Sequence, residues 1–73
     1  MMPMNFVKEG ENIRVKKIMM SDTESKRLME MGLTNNNIIK VIQNTGTSLI
    51  ITIAGTKLGV DVTAARKIMV ECV

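Results

Sequence analysis

"SDTESKRLMEMG", Ser21 to Gly32, interrupts a chain that otherwise reads as strands, and it carries helix signals at both ends. Ser21 is placed to cap the N-terminus, with Glu24 three residues on to complete a capping box. Asp22 stands in the first turn, where a carboxylate favours the helix dipole, and it pairs at i,i+4 with Lys26 in the better orientation. Leu28 and Met31 are spaced to share one face and supply apolar contacts. Gly32 provides the left-handed residue that ends a helix, and Leu33 follows the cap. Asn35, Asn36 and Asn37 then read as a turn into the next strand rather than as a polar binding site.

On either side of this helix the hydrophobic period is two. In Asn12 to Met19, "NIRVKKIM", Ile13 and Val15 point one way and Arg14 and Lys16 the other. "IIKVIQ" sets Ile39 and Val41 against Ile38, Lys40 and Ile42. "SLIITIAG" faces Leu49, Ile51 and Ile53 inward, with Ile50, Thr52 and Ala54 opposite. Turns follow at "NTGT", where Gly46 is free to take positive φ, and at Gly55-Thr56. "KLGVD" is a fourth strand, "VTAA" one helical turn, and "RKIMVECV" a closing strand with Ile68 and Val70 inside. The expected order is strand, short helix, three strands in a meander, a helical turn and a last strand. Five short strands, each with one apolar face, predict a small closed barrel, because closure removes aggregation-prone edges. An open sheet with the helix across one face is the alternative.

Composition narrows the functional classes. The chain has 73 residues, one cysteine and no histidine, so neither a disulfide framework nor a cysteine/histidine zinc site staples the fold. Stability must come from an apolar core, for which the 45% hydrophobic content is sufficient. The core is poor in aromatics, with Phe6 alone, and rich in methionine, with eight. Three methionines fall in the first four residues and read as a loose terminus. Five more (Met19, Met20, Met29, Met31 and Met69) lie in segments that need apolar residues for packing.

The net charge of +3 is spread over interspersed acids and bases, and a single phenylalanine cannot form a stacking platform, so nucleic-acid binding is not expected. No stretch is long and apolar enough to span a membrane, no secretory signal is evident, and one unpaired cysteine fits a reducing cytoplasm. Without histidine, a base at neutral pH would need a strongly perturbed Glu, Asp, Lys or Cys, and no enzymatic role is expected. Cys72 reads as an inert thiol, and Glu9-Gly10-Glu11 as a solvated turn rather than a cation site. No metal or cofactor site is assigned. What remains is surface: Ile42, Ile50 and Met69 fall opposite the inferred core and are the candidate partner-binding residues. The competing expectation is that "MMPMNFV" covers them.

The ordered set "RLMEMGL", "IIKV" and "G…LIITIAGTKLGVD…AARKIMV" resembles the FeoA family of accessory proteins of bacterial ferrous-iron uptake. Arg27, Leu28, Gly32 and Leu33 match its Gly-Leu corner, and Gly55, Leu58, Ala65, Ile68 and Val70 match its later strands. The likeness runs from about Phe6 to Glu71. It implies an SH3-like barrel with a helix inserted after the first strand, and docking on the cytosolic, GTPase-bearing side of the FeoB-type transporter. The same domain type closes iron-dependent repressors, so a transition-metal-binding or metal-sensing module is the alternative implied. One departure stands out: where relatives commonly have Pro-Gly, this chain has Asn35-Asn36, which puts Asn36 in the seat of a glycine.

Overall fold

The computed structural model describes residues 1–34 and 36–73; the turn expected at Asn35 lies outside the described residues. In chain order the elements are β1 (Met2–Pro3), a 3-10 turn (Met4–Phe6), β2 (Asn12–Ile18), α1 (Asp22–Glu30), β3 (Ile39–Asn44), β4 (Ser48–Ile53), β5 (Thr56–Asp61), α2 (Val62–Ala65) and β6 (Ile68–Cys72). All strand pairs are antiparallel, in the order β1-β6-β2-β3-β4-β5.

Two expectations need correcting here. There are six strands rather than five, and among the described residues β1 and β5 do not pair, so the sheet is open and not a closed barrel. The sheet is also divided. β1, β6 and β2 form one half and β3, β4 and β5 the other, joined by a short seam: the pairs Asn12↔Lys40 and Ile13↔Ile39, and the backbone hydrogen bonds Gly10 N–H to Val41 O (2.7 Å) and Val41 N–H to Glu11 O (3.0 Å). Both halves face one core. Ile13, Val15, Ile68 and Val70 come from the first, and Ile39, Val41, Leu49, Ile51, Ile53 and Val60 from the second.

The N-terminus is also not loose. Met2 and Pro3 pair with Val70 and Met69, and Met4 and Val7 are fully enclosed in the core. The tie is Asn44, half-buried at the end of β3. Its Nδ2 donates to the carbonyls of Asn5 (3.1 Å) and Val7 (2.9 Å). Its backbone N–H donates to Glu9 Oε2 at 2.8 Å, and its Oδ1 accepts from Gly46 N–H at 3.0 Å. One side chain thereby binds the N-terminal segment to the β3–β4 turn across a gap of 39 residues.

Helix α1 is held mainly at its ends. Ser21 Oγ accepts from Glu24 N–H at 3.3 Å and donates to Glu24 Oε1 at 3.2 Å. At the C-terminus Leu33 N–H donates to Leu28 O and Gly32 N–H to Met29 O, both at 3.0 Å, the paired 6→1 and 5→2 bonds of a Schellman motif. Gly32 takes φ +100°, and Asn37 Nδ2 donates to its carbonyl at 2.8 Å. A Cβ on Gly32 would stand 2.8 Å from Ile53 Cγ2, so the helix end can approach β4 only because no side chain is there. No residue of α1 is fully buried, and Met31, expected to pack, is 48% exposed; Leu28 packs against the core and Leu33 enters it.

The tight β4–β5 turn has Ala54 at φ +50° and Gly55 at φ +84°, between paired Ile53 and Thr56. Two positive φ values in a two-residue loop make it a type I′ hairpin, with alanine in a seat that usually favours asparagine or glycine.

Two substitutions probe these contacts. Gly32→Val combines positive φ with a clash against Ile53 and is expected to lower unfolding stability by about 3 kcal/mol in a urea titration. Asn44→Ala leaves two backbone carbonyls without their donor and is expected to cost about 2 kcal/mol. Proteolysis should then cut first between residues 1 and 9.

Candidate functional site

Ile42 lies at a register shift between Val41 and Gln43 in the β3–β4 ladder. In such a bulge two residues of one strand oppose one of the other. Ile42 and Gln43 therefore stand together across from Ile50, on the face turned away from the core. Ile42 is 39% exposed and Ile50 is half-buried. In β5 the residue opposite Ile50 is Gly59, whose missing side chain leaves open space beside the isoleucine. Met69 lies elsewhere. It pairs with Lys17 of β2 and Pro3 of β1 in the other half of the sheet, half-buried. The fold thus brings Ile42 and Ile50 together and leaves Met69 apart. The N-terminal segment pairs beside Met69 through Pro3.

The sequence reading missed a second apolar surface. A cleft of about 400 Å³ opens between the end of α1 and the β4–β5 hairpin. Met31, Ile53, Ala54 and Leu58 line it, and Glu30 and Lys57 add opposite charges. A smaller cleft of about 220 Å³ lies between β2 and α1, with Val15, Ile18, Met29 and Leu33 in its wall beside Lys16 and Lys17. The methionines supply the reason it was missed. Met19, Met29 and Met31, expected in packed positions, are each about half exposed, whereas Met4 is fully buried. Period and propensity place a methionine on a helix or strand but do not say whether a neighbour covers it.

Among the described residues the charged groups form no centre. The one ion pair among the described residues is Lys16 with Glu71, at 3.4 Å and exposed. Among the described residues, no three of His, Cys, Asp and Glu converge where a metal ion could be held. Asn36 donates its backbone N–H to Thr34 Oγ1 at 3.4 Å within the corner after α1. Gly46 and Gly55 take φ +89° and +84° at their turns.

Cys72 is exposed, with Sγ donating to Glu11 Oε2 at 3.4 Å. Its thiol is pushed above its ordinary range. Desolvation contributes most, followed by the hydrogen bond to Glu11 and the negative charge of that carboxylate, with the N-terminal ammonium opposing. The thiolate is the nucleophile, so this setting keeps the sulfur quiet.

These observations define a class: a small antiparallel β domain carrying a capped helix, with apolar clefts and patches on its surface. The FeoA domain profile matches residues 2–72, and the chain belongs to the FeoA family. A "Putative Fe(2+) transport protein A" from Methanocaldococcus jannaschii is 39% identical over 71 residues, covering 97% of this chain and 87% of that protein. The crystal structure of an iron uptake regulatory protein (FeoA) superposes with a TM-score of 0.87 at 24% identity, over 97% of this chain and 96% of that one. The solution structure of the FeoA protein from Chlorobium tepidum gives a TM-score of 0.88 at 23% identity, over 99% of this chain and 70% of that one. At these identities the two structures speak for the fold.

If Glu11 holds the Cys72 proton in place, Glu11→Gln should speed alkylation of Cys72 by iodoacetamide near pH 8. The rate–pH curve should move to lower pH relative to the unaltered chain.

Proposed function

We propose that this chain is a non-enzymatic accessory protein of ferrous-iron uptake, which binds the cytosolic side of a FeoB-type membrane transporter and modulates its activity. The observation that carries the reading is family membership across residues 2–72, together with the iron-transport name of the 39% identical relative. The surface is compatible with such a role. The outward Ile42–Ile50 patch and the cleft beside Met31 present apolar groups to solvent around a domain whose own core is already filled. Exposed apolar groups gathered in one place give a domain without a catalytic centre a means of selecting a partner. Met69 is a less favourable contact, being in the other half of the sheet and paired to β1. Among the described residues no helix is long and apolar enough to cross a membrane. The proposed place of action is the cytoplasmic face of the membrane, to which the transporter recruits the chain.

The test is a pull-down of the cognate transporter's cytosolic domain, combined with its rate of GTP hydrolysis. Binding and a changed rate are expected. Ile42→Asp should weaken binding about tenfold, or 1.4 kcal/mol, while leaving the melting temperature nearly unchanged. No contact and no change in rate would overturn the proposal.

A further inference from the structure

The two edges of the sheet are built differently. β1 is two residues long and one is Pro3, which has no N–H to offer, so this edge is closed to strand addition. β5 is six residues long, pairs among the described residues only with β4, and has neither proline nor bulge among Thr56–Asp61. Its protection is limited to the charges of Lys57 and Asp61, and an edge of that length is a template for a strand whose charges complement them. Its sequence, TKLGVD, is complementary to itself.

We propose that β5 is a self-association edge, on which two copies of the chain pair antiparallel about a two-fold axis through Gly59. A two-fold perpendicular to the sheet keeps the core faces of both copies on one side, so opposed residues must share a face. Centred on Gly59, this register sets Lys57 against Asp61 of the second copy, twice by symmetry, and Leu58 against Val60. Lys57, Gly59 and Asp61 are exposed, while Leu58 and Val60 point toward the core. Like therefore meets like on the inner face, and opposite charges meet on the outer.

Among the described residues neither Lys57 nor Asp61 has an ion-pair partner within its own chain. Asp61 uses Oδ1 to accept from Thr63 N–H at 3.4 Å, which leaves Oδ2 free. Sliding the pairing by one step either way opposes Lys57 or Asp61 to Gly59. Sliding it by two opposes Lys57 to Lys57 or Asp61 to Asp61. Only the Gly59-centred register satisfies both charges, and cross-strand pairs of opposite charge stabilise a ladder where like charges oppose it.

Gly59 at the centre has a further effect. Ile50 lies opposite it in each copy, so two glycines floor a groove between two isoleucines about 14 Å apart, three strand spacings. The outward Ile42–Ile50 patch of one copy is thereby joined to that of the other. Five opposed residues a side fall below a standard stable interface, so the dimer is weak and reversible.

Covalent trapping reads such a contact directly. A Cβ at Gly59 meets nothing within 4 Å, so the fold accepts a side chain there. Opposed Cα atoms in an antiparallel pair lie about 4.5–5.5 Å apart, within disulfide reach. In a Cys72→Ser background, Gly59→Cys should form a disulfide dimer under oxidised glutathione at least tenfold faster than Thr56→Cys. In this register the two copies of residue 56 stand about 20 Å apart. Adding Lys57→Glu should slow trapping severalfold, and adding Asp61→Lys to that should restore it, with circular dichroism confirming each variant folded. Sedimentation equilibrium of the unaltered chain should show mass rising with concentration toward the millimolar range. A monomer throughout, trapping no faster at residue 59 than at 56, or indifference to Lys57→Glu would each overturn the proposal.

Discussion

The approach of Gly32 to Ile53 is the contact on which the arrangement depends. Because residue 32 has no Cβ, the end of α1 can lean on β4 while the backbone reverses through positive φ. The Schellman bonds then deliver Leu33, fully buried, into the core directly after the cap. That core needs it. The two halves of the sheet are joined by two residue pairs and by the backbone hydrogen bonds of Val41 with Gly10 and Glu11, a ladder too short to hold them by itself. Cohesion comes instead from apolar side chains shared across the halves, with Leu33 from the helix corner and Met4 and Val7 from the N-terminal segment entering between the strands. Burying apolar area contributes roughly 25 cal/mol per Å², so filling this junction adds to the stability given by the hydrogen bonds across it.

What the sequence revealed were the features fixed by neighbours along the chain. Ser21 with Glu24, Gly32 after Met31, and the turns at Gly46 and Gly55 are local chemistry, and the helix and five of the strands follow from them together with the period-two pattern. The placement of Met4 is not local. Nothing near "MMPM" says that Asn44, 39 residues beyond Asn5, holds the segment down, and so β1 and the enclosed Met4 were illegible. Closure failed as an inference for a related reason. Counting strands shows that edges exist but not how each is protected, and here Pro3 and shortness close one edge without any barrel.

The candidate surface was legible only in part. Parity correctly separated Ile42 and Ile50 from Ile39, Val41, Leu49 and Ile51, but it gave no reason to part them from Met69, because strand order is not written in a single strand. The cleft beside Met31 was hidden because an apolar side chain at helical spacing ordinarily belongs to a core. α1 buries no residue fully and is stabilised by its caps, so Met29 and Met31 remain in solvent, flexible and polarizable, as a surface that can adapt to a partner.

Two bulges explain how so regular a pattern keeps its charges outside. Strict alternation from Ile13 and Val15 would turn Lys17 inward, and from Ile39 and Val41 would turn Gln43 inward. The register shifts between Val15 and Lys17 and between Val41 and Gln43 each insert one residue and reverse the parity beyond it. Lys17 and Gln43 then stay exposed. Ile18 turns to pack against the core, and Asn44 turns inward to meet the N-terminal segment. In β2 the extra residue is Lys16, which pairs with Glu71; in β3 it is Ile42, an apolar side chain left 39% exposed. The same backbone device thus spares the core a polar group, and in β3 it sets Gln43 beside Ile42 on the outer face. Parity alone already turns Ile42 outward toward Ile50, and the bulge adds the polar Gln43 beside that apolar pair.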